Sequence, residues 1–147
     1  MFVPDQGGTE RETMRMDPTA VPSFGRLAEG GPRPGAGEEC FHDLLRAPGG
    51  ARVERILSCG AASPPGFWYE QDGDEFVLLL SGAAVLAFPD GTEQRLEPGD
   101  YAILPAFCRH RVAWTDPAGE TLWLAVHMPP RRREPAPREA APAEAGH

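Results

Sequence analysis

Glu75 is the residue whose position points most directly to chemistry. It begins the unbroken apolar run Phe76-Val77-Leu78-Leu79-Leu80, which predicts a strand that is covered on both faces. A carboxylate buried with such a strand is costly unless a cation or a hydrogen-bond donor compensates it. A metal ion would compensate Glu75, and so would a hydrogen bond with His110 or Tyr69. The first alternative indicates a metal centre and the second a hydrogen-bonded pocket.

Short apolar segments with turn signals between them would position these groups. The turns Ser81-Gly82, Pro89-Asp90-Gly91 and Pro98-Gly99-Asp100 combine the fixed φ of proline with the positive φ that glycine tolerates. This pattern predicts an all-β fold, either a sandwich or a barrel. The predicted strands are Glu39–Arg46, Val53–Ser58, Glu75–Leu80, Ala83–Phe88, Glu93–Leu96, Tyr101–Leu104, His110–Trp114 and Thr121–His127.

The apolar run at residues 76–80 needs cover on the face that does not fill the barrel. One alternative is intrachain cover by residues 39–58. The other is a second subunit, because an exposed apolar sheet is typical of a homodimer interface. We predict a homodimer.

Composition restricts the partners and the location. With 147 residues the chain has room for one domain, and its formal net charge of −8 repels nucleic acid. Cys40, Cys59 and Cys108 lack the spacing of a zinc site, which favours free thiols in a reducing compartment. No stretch is typical of a signal peptide or a membrane span. We therefore predict a cytoplasmic protein that binds neither nucleic acid nor membrane.

Both ends of the chain differ in composition from its centre. Residues 1–23 are polar and rich in Pro and Gly, which predicts a disordered leader, and Met16 is an alternative translation start. Residues 129–147 are rich in Pro, Ala and Arg, which predicts a disordered tail, with Arg131–Arg133 as a solvated charge run. The barrel is therefore expected over residues 39–128.

Two spacings resemble the motifs of the cupin family, G-x5-H-x-H-x3-4-E-x6-G and G-x5-P-x-G-x2-H-x3-N. Glu75 precedes Gly82 by six residues, as in the first motif, and Gly99, Pro105 and His110 have the spacing of the second. The resemblance covers roughly residues 39–128. It implies a double-stranded β-helix, or jelly-roll barrel, with a ligand site inside its mouth.

The chain departs from these motifs at several ligand positions. The two early histidines fall on Tyr69 and Gln71 in one register and on Trp68 and Glu70 in the other, while Phe107 replaces the glycine after Pro105. The metal set that the resemblance implies is therefore reduced to four residues, Tyr69, Gln71, Glu75 and His110. His127 and, more remotely, His42 are alternative sources of a second imidazole.

Two functions follow from this reduced set. The first is a cupin that binds a small molecule through a divalent metal ion (Fe, Mn, Ni, Cu or Zn) at the barrel mouth, with enzymatic activity left open. The alternative is a metal-free module that binds or senses a small molecule, which the loss of both early histidines favours. No catalytic residue and no organic cofactor are assigned.

Overall fold

Short strands joined by tight turns dominate the computed structural model, which describes residues 20–132. The predicted leader and tail lie largely outside the described residues. A single 3₁₀ turn, Pro48–Gly50, joins the first two strands. The strands are β1 (Glu39–Arg46), β2 (Arg52–Ser58), β3 (Glu75–Ser81), β4 (Ala84–Ala87), β5 (Glu93–Leu96), β6 (Tyr101–Leu104), β7 (Arg111–Thr115) and β8 (Thr121–His127).

The strands form two antiparallel sheets that face each other. The larger sheet has the order β1-β2-β8-β3-β6 and the smaller sheet the order β5-β4-β7. The chain thus crosses between sheets repeatedly, which confirms the predicted jelly-roll barrel. Each observed strand lies within two residues of its predicted limits.

Alternation along the strands builds the core between the sheets. On β3, the side chains of Glu75, Val77 and Leu79 are buried while their neighbours are more exposed, as expected when one face of a strand points inward. The core consists of Val77, Leu79, Ala84, Leu86, Leu96, Leu104, Trp123 and Ala125. The core is therefore aliphatic apart from one indole.

The outer face of β3 is not covered in the way that the intrachain alternative predicts. β1 and β2 extend the same sheet on the far side of β8, so they lie beside β3 and not over it. The segment before β1 crosses the outer face of β2, where the Arg55 guanidinium donates to the Leu27 carbonyl at 2.5 Å. The outer faces of β3 and β6 keep exposed apolar side chains, with Ile103 65% and Tyr101 60% exposed.

Gly82, in the turn between β3 and β4, allows a close approach that a side chain would prevent. Its φ is +86°, and a Cβ would lie 2.7 Å from the Thr121 Cα. We expect Gly82→Ala to destabilise the fold by about 2–4 kcal/mol, because steric overlap adds to the strain of a positive φ. Urea unfolding would measure the loss.

Gly91→Ala is the matched control for this prediction. Gly91 has a similar φ of +87°, but a Cβ added there would meet nothing within 4 Å. Its substitution by alanine should lower the free energy of unfolding only by the strain of a positive φ, about 1–2 kcal/mol. Equal losses for both variants would contradict the role assigned to the Gly82–Thr121 contact.

Candidate functional site

Strand register places ionisable side chains in one row at one end of the larger sheet. Arg52 pairs with His127, and His127 pairs with Glu75 on its other side. Glu54 lies one inward position further along β2, opposite Ala125. Antiparallel partners share a face of the sheet, so these side chains project into the barrel together.

A chain of hydrogen bonds links these side chains through His127. Its Nε2 is hydrogen bonded to Glu54 Oε1 at 3.2 Å and its Nδ1 to the Gln71 side-chain amide at 3.1 Å. The amide of Gln71 in turn donates to Glu75 Oε2 at 3.3 Å. Both ring nitrogens of His127 thus face side-chain oxygens of the cavity wall.

His110 is oriented by its own turn. Its Nδ1 donates to the Cys108 carbonyl at 3.0 Å, which directs Nε2 towards Glu75, with 3.7 Å between Nε2 and Glu75 Oε2. The turn contains Phe107, whose φ is +66° and whose N–H donates to the Gln71 carbonyl at 2.6 Å. The family glycine position is thus filled by a phenylalanine in a left-handed conformation, which is costly for a residue with a side chain.

These groups line a cavity of about 210 Å³ between the sheets. Its apolar wall includes Val77, Leu86 and Val112. Trp123, which is 3% exposed, also lines it, and the indole Nε1 has no hydrogen-bond partner in the described part of the chain. This nitrogen is enclosed in the wall and has almost no accessible surface, so the indole contributes its apolar ring to the cavity.

Burial and charge shift two carboxyl groups in opposite directions. Burial raises the pKa of Glu75, and the nearby Glu54 adds to this effect although His127 and His110 oppose it. Burial also disfavours the charge on Glu54, but hydrogen bonds from His127 and Arg52 outweigh it and lower the pKa. Of these two carboxyl groups, Glu54 is therefore well satisfied and Glu75 poorly satisfied.

All four predicted metal ligands line this cavity. Gln71, Glu75 and His110 are part of its wall, and the Tyr69 ring stacks on the His110 ring with centroids 5.7 Å apart. His127 is also at the cavity, whereas His42 is exposed. The sequence interpretation did not identify Arg52 and Glu54. Only the pairing of β2 with β8 would have indicated them, because it aligns their inward positions with His127.

The donor set suits a metal ion only in part. His110 Nε2 and the Glu75 carboxylate are available, and the Cys108 carbonyl orients the imidazole in the way that backbone carbonyls orient histidines at metal sites. The Gln71 oxygen and both nitrogens of His127 are engaged with each other or with Glu54. Among residues 20–132, no group of three or more His, Cys, Asp or Glu side chains has an arrangement that could hold a metal ion.

The sequence and the fold define the family. Residues 56–127 match the family model described as Cupin domain. A candidate mannose-6-phosphate isomerase from Ralstonia eutropha is 46% identical, with a TM-score of 0.68 over 74% of this chain and 99% of that chain. The chain belongs to the cupin superfamily.

Two more distant structures have the same fold. A cupin superfamily protein from Desulfitobacterium hafniense is 20% identical, with a TM-score of 0.56 over 66% of this chain and 83% of that chain. A protein from Neisseria meningitidis is 16% identical, with a TM-score of 0.52 over 69% of this chain and 91% of that chain. No curated protein matches the sequence. Within residues 20–132, no helix has the length and apolar character needed to span a membrane.

The opposite pKa shifts give a prediction about stability. A raised folded-state pKa means that ionised Glu75 opposes folding, and this cost grows as pH rises through the folded pKa. Glu75→Gln should therefore raise the thermal midpoint at pH 7 by a few degrees and lose this advantage below the ordinary glutamate pKa.

Glu54→Gln is the matched control and should have the opposite sign. Ionised Glu54 supports folding above its ordinary pKa, and the support is lost as pH falls through its lowered folded pKa. The substitution should cost about 1–3 kcal/mol at pH 7, because Arg52 and His127 lose an anionic acceptor. Thermal melts at several pH values test both variants, and shifts of the same sign at pH 7 would refute the assignment.

Proposed function

We propose that this cupin binds a small organic molecule in the cavity between its sheets without requiring a metal ion. The observation that carries the proposal is the set of unsatisfied groups in the cavity wall. Glu75 is 8% exposed, yet no cationic group of the described residues lies within hydrogen-bond distance of it. His110 Nε2 faces Glu75 Oε2 at 3.7 Å, beyond hydrogen-bond distance. A ligand that bonds to Glu75 and His110 would supply what the wall lacks.

The gap between His110 and Glu75 supports a ligand that bears hydroxyl groups. The atoms His110 Nε2 and Glu75 Oε2 are 3.7 Å apart, which is too far for a direct hydrogen bond. A ligand hydroxyl group placed near them can hydrogen-bond to both, because it both donates and accepts. The Ralstonia eutropha relative is named for an isomerase of a sugar derivative, which is consistent with a hydroxylated ligand here.

A divalent metal ion is the second candidate occupant. The orientation of His110 by the Cys108 carbonyl, with Nε2 directed towards Glu75, favours it. Iron, manganese, nickel, copper or zinc would be held by His110 and Glu75, with Gln71 and Tyr69 completing the set. A bound metal would supply Lewis acidity for a substrate oxygen. Gln71 would first have to release His127.

Metal analysis combined with thermal melts separates the two candidates. For metal-free binding we expect less than stoichiometric metal in the untagged protein and a thermal midpoint that chelation does not change. His110→Ala should then shift the midpoint equally with and without chelator, because the residue acts through packing and hydrogen bonding alone.

The exposed His42 provides the matched control, as His42→Ala removes an imidazole away from the cavity. Near-stoichiometric metal, with a midpoint that falls on chelation in the wild type and the His42 variant but not in His110→Ala, would contradict metal-free binding. It would establish the second candidate instead.

We also propose that a second copy of the chain covers the exposed face of β3 and β6. Two rows of apolar side chains cross this face, one formed by Ile103, Phe76 and Val126 and the other by Tyr101, Leu78 and Leu124. The rows carry no charge, so two copies related by a twofold axis can place like against like. The segment before β1 already covers the adjoining outer face of β2.

Ile103→Glu tests the homodimer, because it places a charge within the proposed interface. Light scattering after size exclusion should give a dimer for the wild type and a monomer for the variant, with similar circular dichroism. Glu93→Gln, on the exposed edge strand β5, should remain dimeric. A wild-type monomer at micromolar concentration would contradict the proposal.

The free thiols support the prediction of a cytoplasmic location, which we retain as part of this proposal. Cys40, Cys59 and Cys108 are all free and partly accessible. Such thiols persist in reducing compartments.

A further inference from the structure

We propose that the cavity takes a small hydroxylated amine and rejects anionic compounds such as phosphate esters. This inference rests on the proposed function, namely that the cavity binds an organic molecule, and it adds the charge and the chemical groups of that molecule. It follows from three features of the wall: its surplus of carboxylates, the engagement of its cations and the types of its unpaired groups.

Carboxylates outnumber permanent cations in the cavity wall. Glu39, Glu54 and Glu75 line it, and Arg52 is the one lysine or arginine among the lining residues that the structure describes. The Arg52 guanidinium donates to Glu54 at 2.7 Å and to Asp43 at 3.3 Å. Its charge is therefore already matched, and a phosphate entering the cavity would meet repulsion without a free arginine to receive it.

His127 is also unable to receive an anion. Both of its ring nitrogens are hydrogen bonded, one to Glu54 and one to Gln71. A phosphate could bind His127 only by displacing a carboxylate or an amide from it. Arg52, through one terminal nitrogen, and His127 are thus both already bonded to carboxylates of the protein, which lowers their attraction for a phosphate.

Glu75 is the carboxylate that most needs a positive partner. It receives one hydrogen bond, from the neutral amide of Gln71 at 3.3 Å. A buried carboxylate with so little compensation favours an entering cation. An ammonium group provides both a positive charge and three N–H donors, which suits the unpaired oxygen of Glu75.

A hydroxyl group suits the remaining polar group, His110 Nε2. This atom lies 3.7 Å from Glu75 Oε2, and in the neutral tautomer that donates from Nδ1 to the Cys108 carbonyl it is an acceptor. A hydroxyl group both donates and accepts, whereas an ammonium group only donates. A compound that carries both groups therefore satisfies the wall better than a simple amine or a simple alcohol.

The volume limits the size of this compound. At about 210 Å³ the cavity is smaller than the roughly 300–1,000 Å³ of sites that enclose drug-sized ligands. Its lower wall is apolar, with Val77, Leu86 and Leu104. These residues suit a short carbon skeleton.

Two sets of compounds with shared skeletons test the inference. The first set is serinol, glycerol and glycerol 3-phosphate, and the second is D-mannosamine, D-mannose and D-mannose 6-phosphate. Calorimetric titration of the full chain after chelator treatment should rank each set in the order amine, neutral compound, phosphate ester. We expect the amine to bind at least about tenfold more tightly than the neutral compound, because a charge-assisted hydrogen bond is gained.

Glu75→Gln should reduce this preference for the amine to near unity, since the charge is lost while the shape is kept. Glu93→Gln, an exposed carboxylate on β5, should leave the preference unchanged. Added salt should weaken the binding of the amine to the wild type only slightly, because a buried pair is poorly screened.

Several outcomes would overturn the inference, and they separate its failure from that of the proposed function. A phosphate ester that binds as tightly as its amine would refute the charge assignment but leave small-molecule binding intact. A neutral compound that equals its amine would refute the ammonium group alone. If no compound of either set binds, the hydroxylated amine is refuted as the ligand class. If MnCl₂ or ZnCl₂ alone binds the chelator-treated protein, with no organic compound binding, metal-free binding fails as well.

Discussion

The antiparallel register of β2, β8 and β3 is the constraint on which the site depends. It aligns Arg52, His127 and Glu75 in a row on one face of the sheet. A slip of one residue on β8 would turn His127 to the outer face and Val126 into the barrel. The position of the site is therefore fixed by the hydrophobic alternation of the strands. The same pattern that folds the barrel also builds its polar end.

The polar end contains two parts that differ in how well they are satisfied. Arg52, Glu54 and His127 are hydrogen bonded to one another through Glu54, which links β2 and β8 inside the barrel. Glu75 and His110 form a loose pair at 3.7 Å. Proteins often tolerate such unsatisfied groups where a ligand completes them, and stability is lost there in exchange for binding. Arg52, Glu54 and His127 therefore stabilise the site, whereas Glu75 and His110 are the groups available to a ligand.

The sequence predicts much of this arrangement. Strand limits follow from alternation and turn residues, and the buried positions of Glu75 and His110 follow from an apolar strand and a motif spacing. Glu54 and Arg52 could not be identified in the same way, because β2 alternates between two plausible faces and the contact of Glu54 with His127 joins residues 73 apart in sequence. The unpaired indole N–H of Trp123 could not be predicted from the sequence pattern either, because it results from packing. Local signals thus locate strands, whereas the completeness of a polar network is decided by pairing between distant segments.

The segment that follows β8 is tied to the loop that carries Gln71. The N–H of Met128 donates to the Asp74 carbonyl at 2.8 Å, that of Arg131 donates to the Asp72 carbonyl at 2.6 Å, and the Arg131 side chain pairs with Asp74 at 2.6 Å. Residues 129–132 thus lie against the rim of the cavity, although composition alone assigns them to a tail. For protein engineering, a truncation before Arg131 would free the Gln71 loop while sparing the strands. A shortened chain of this kind would be a poor choice for crystallography or ligand screening, and the boundary for such work belongs beyond Arg132.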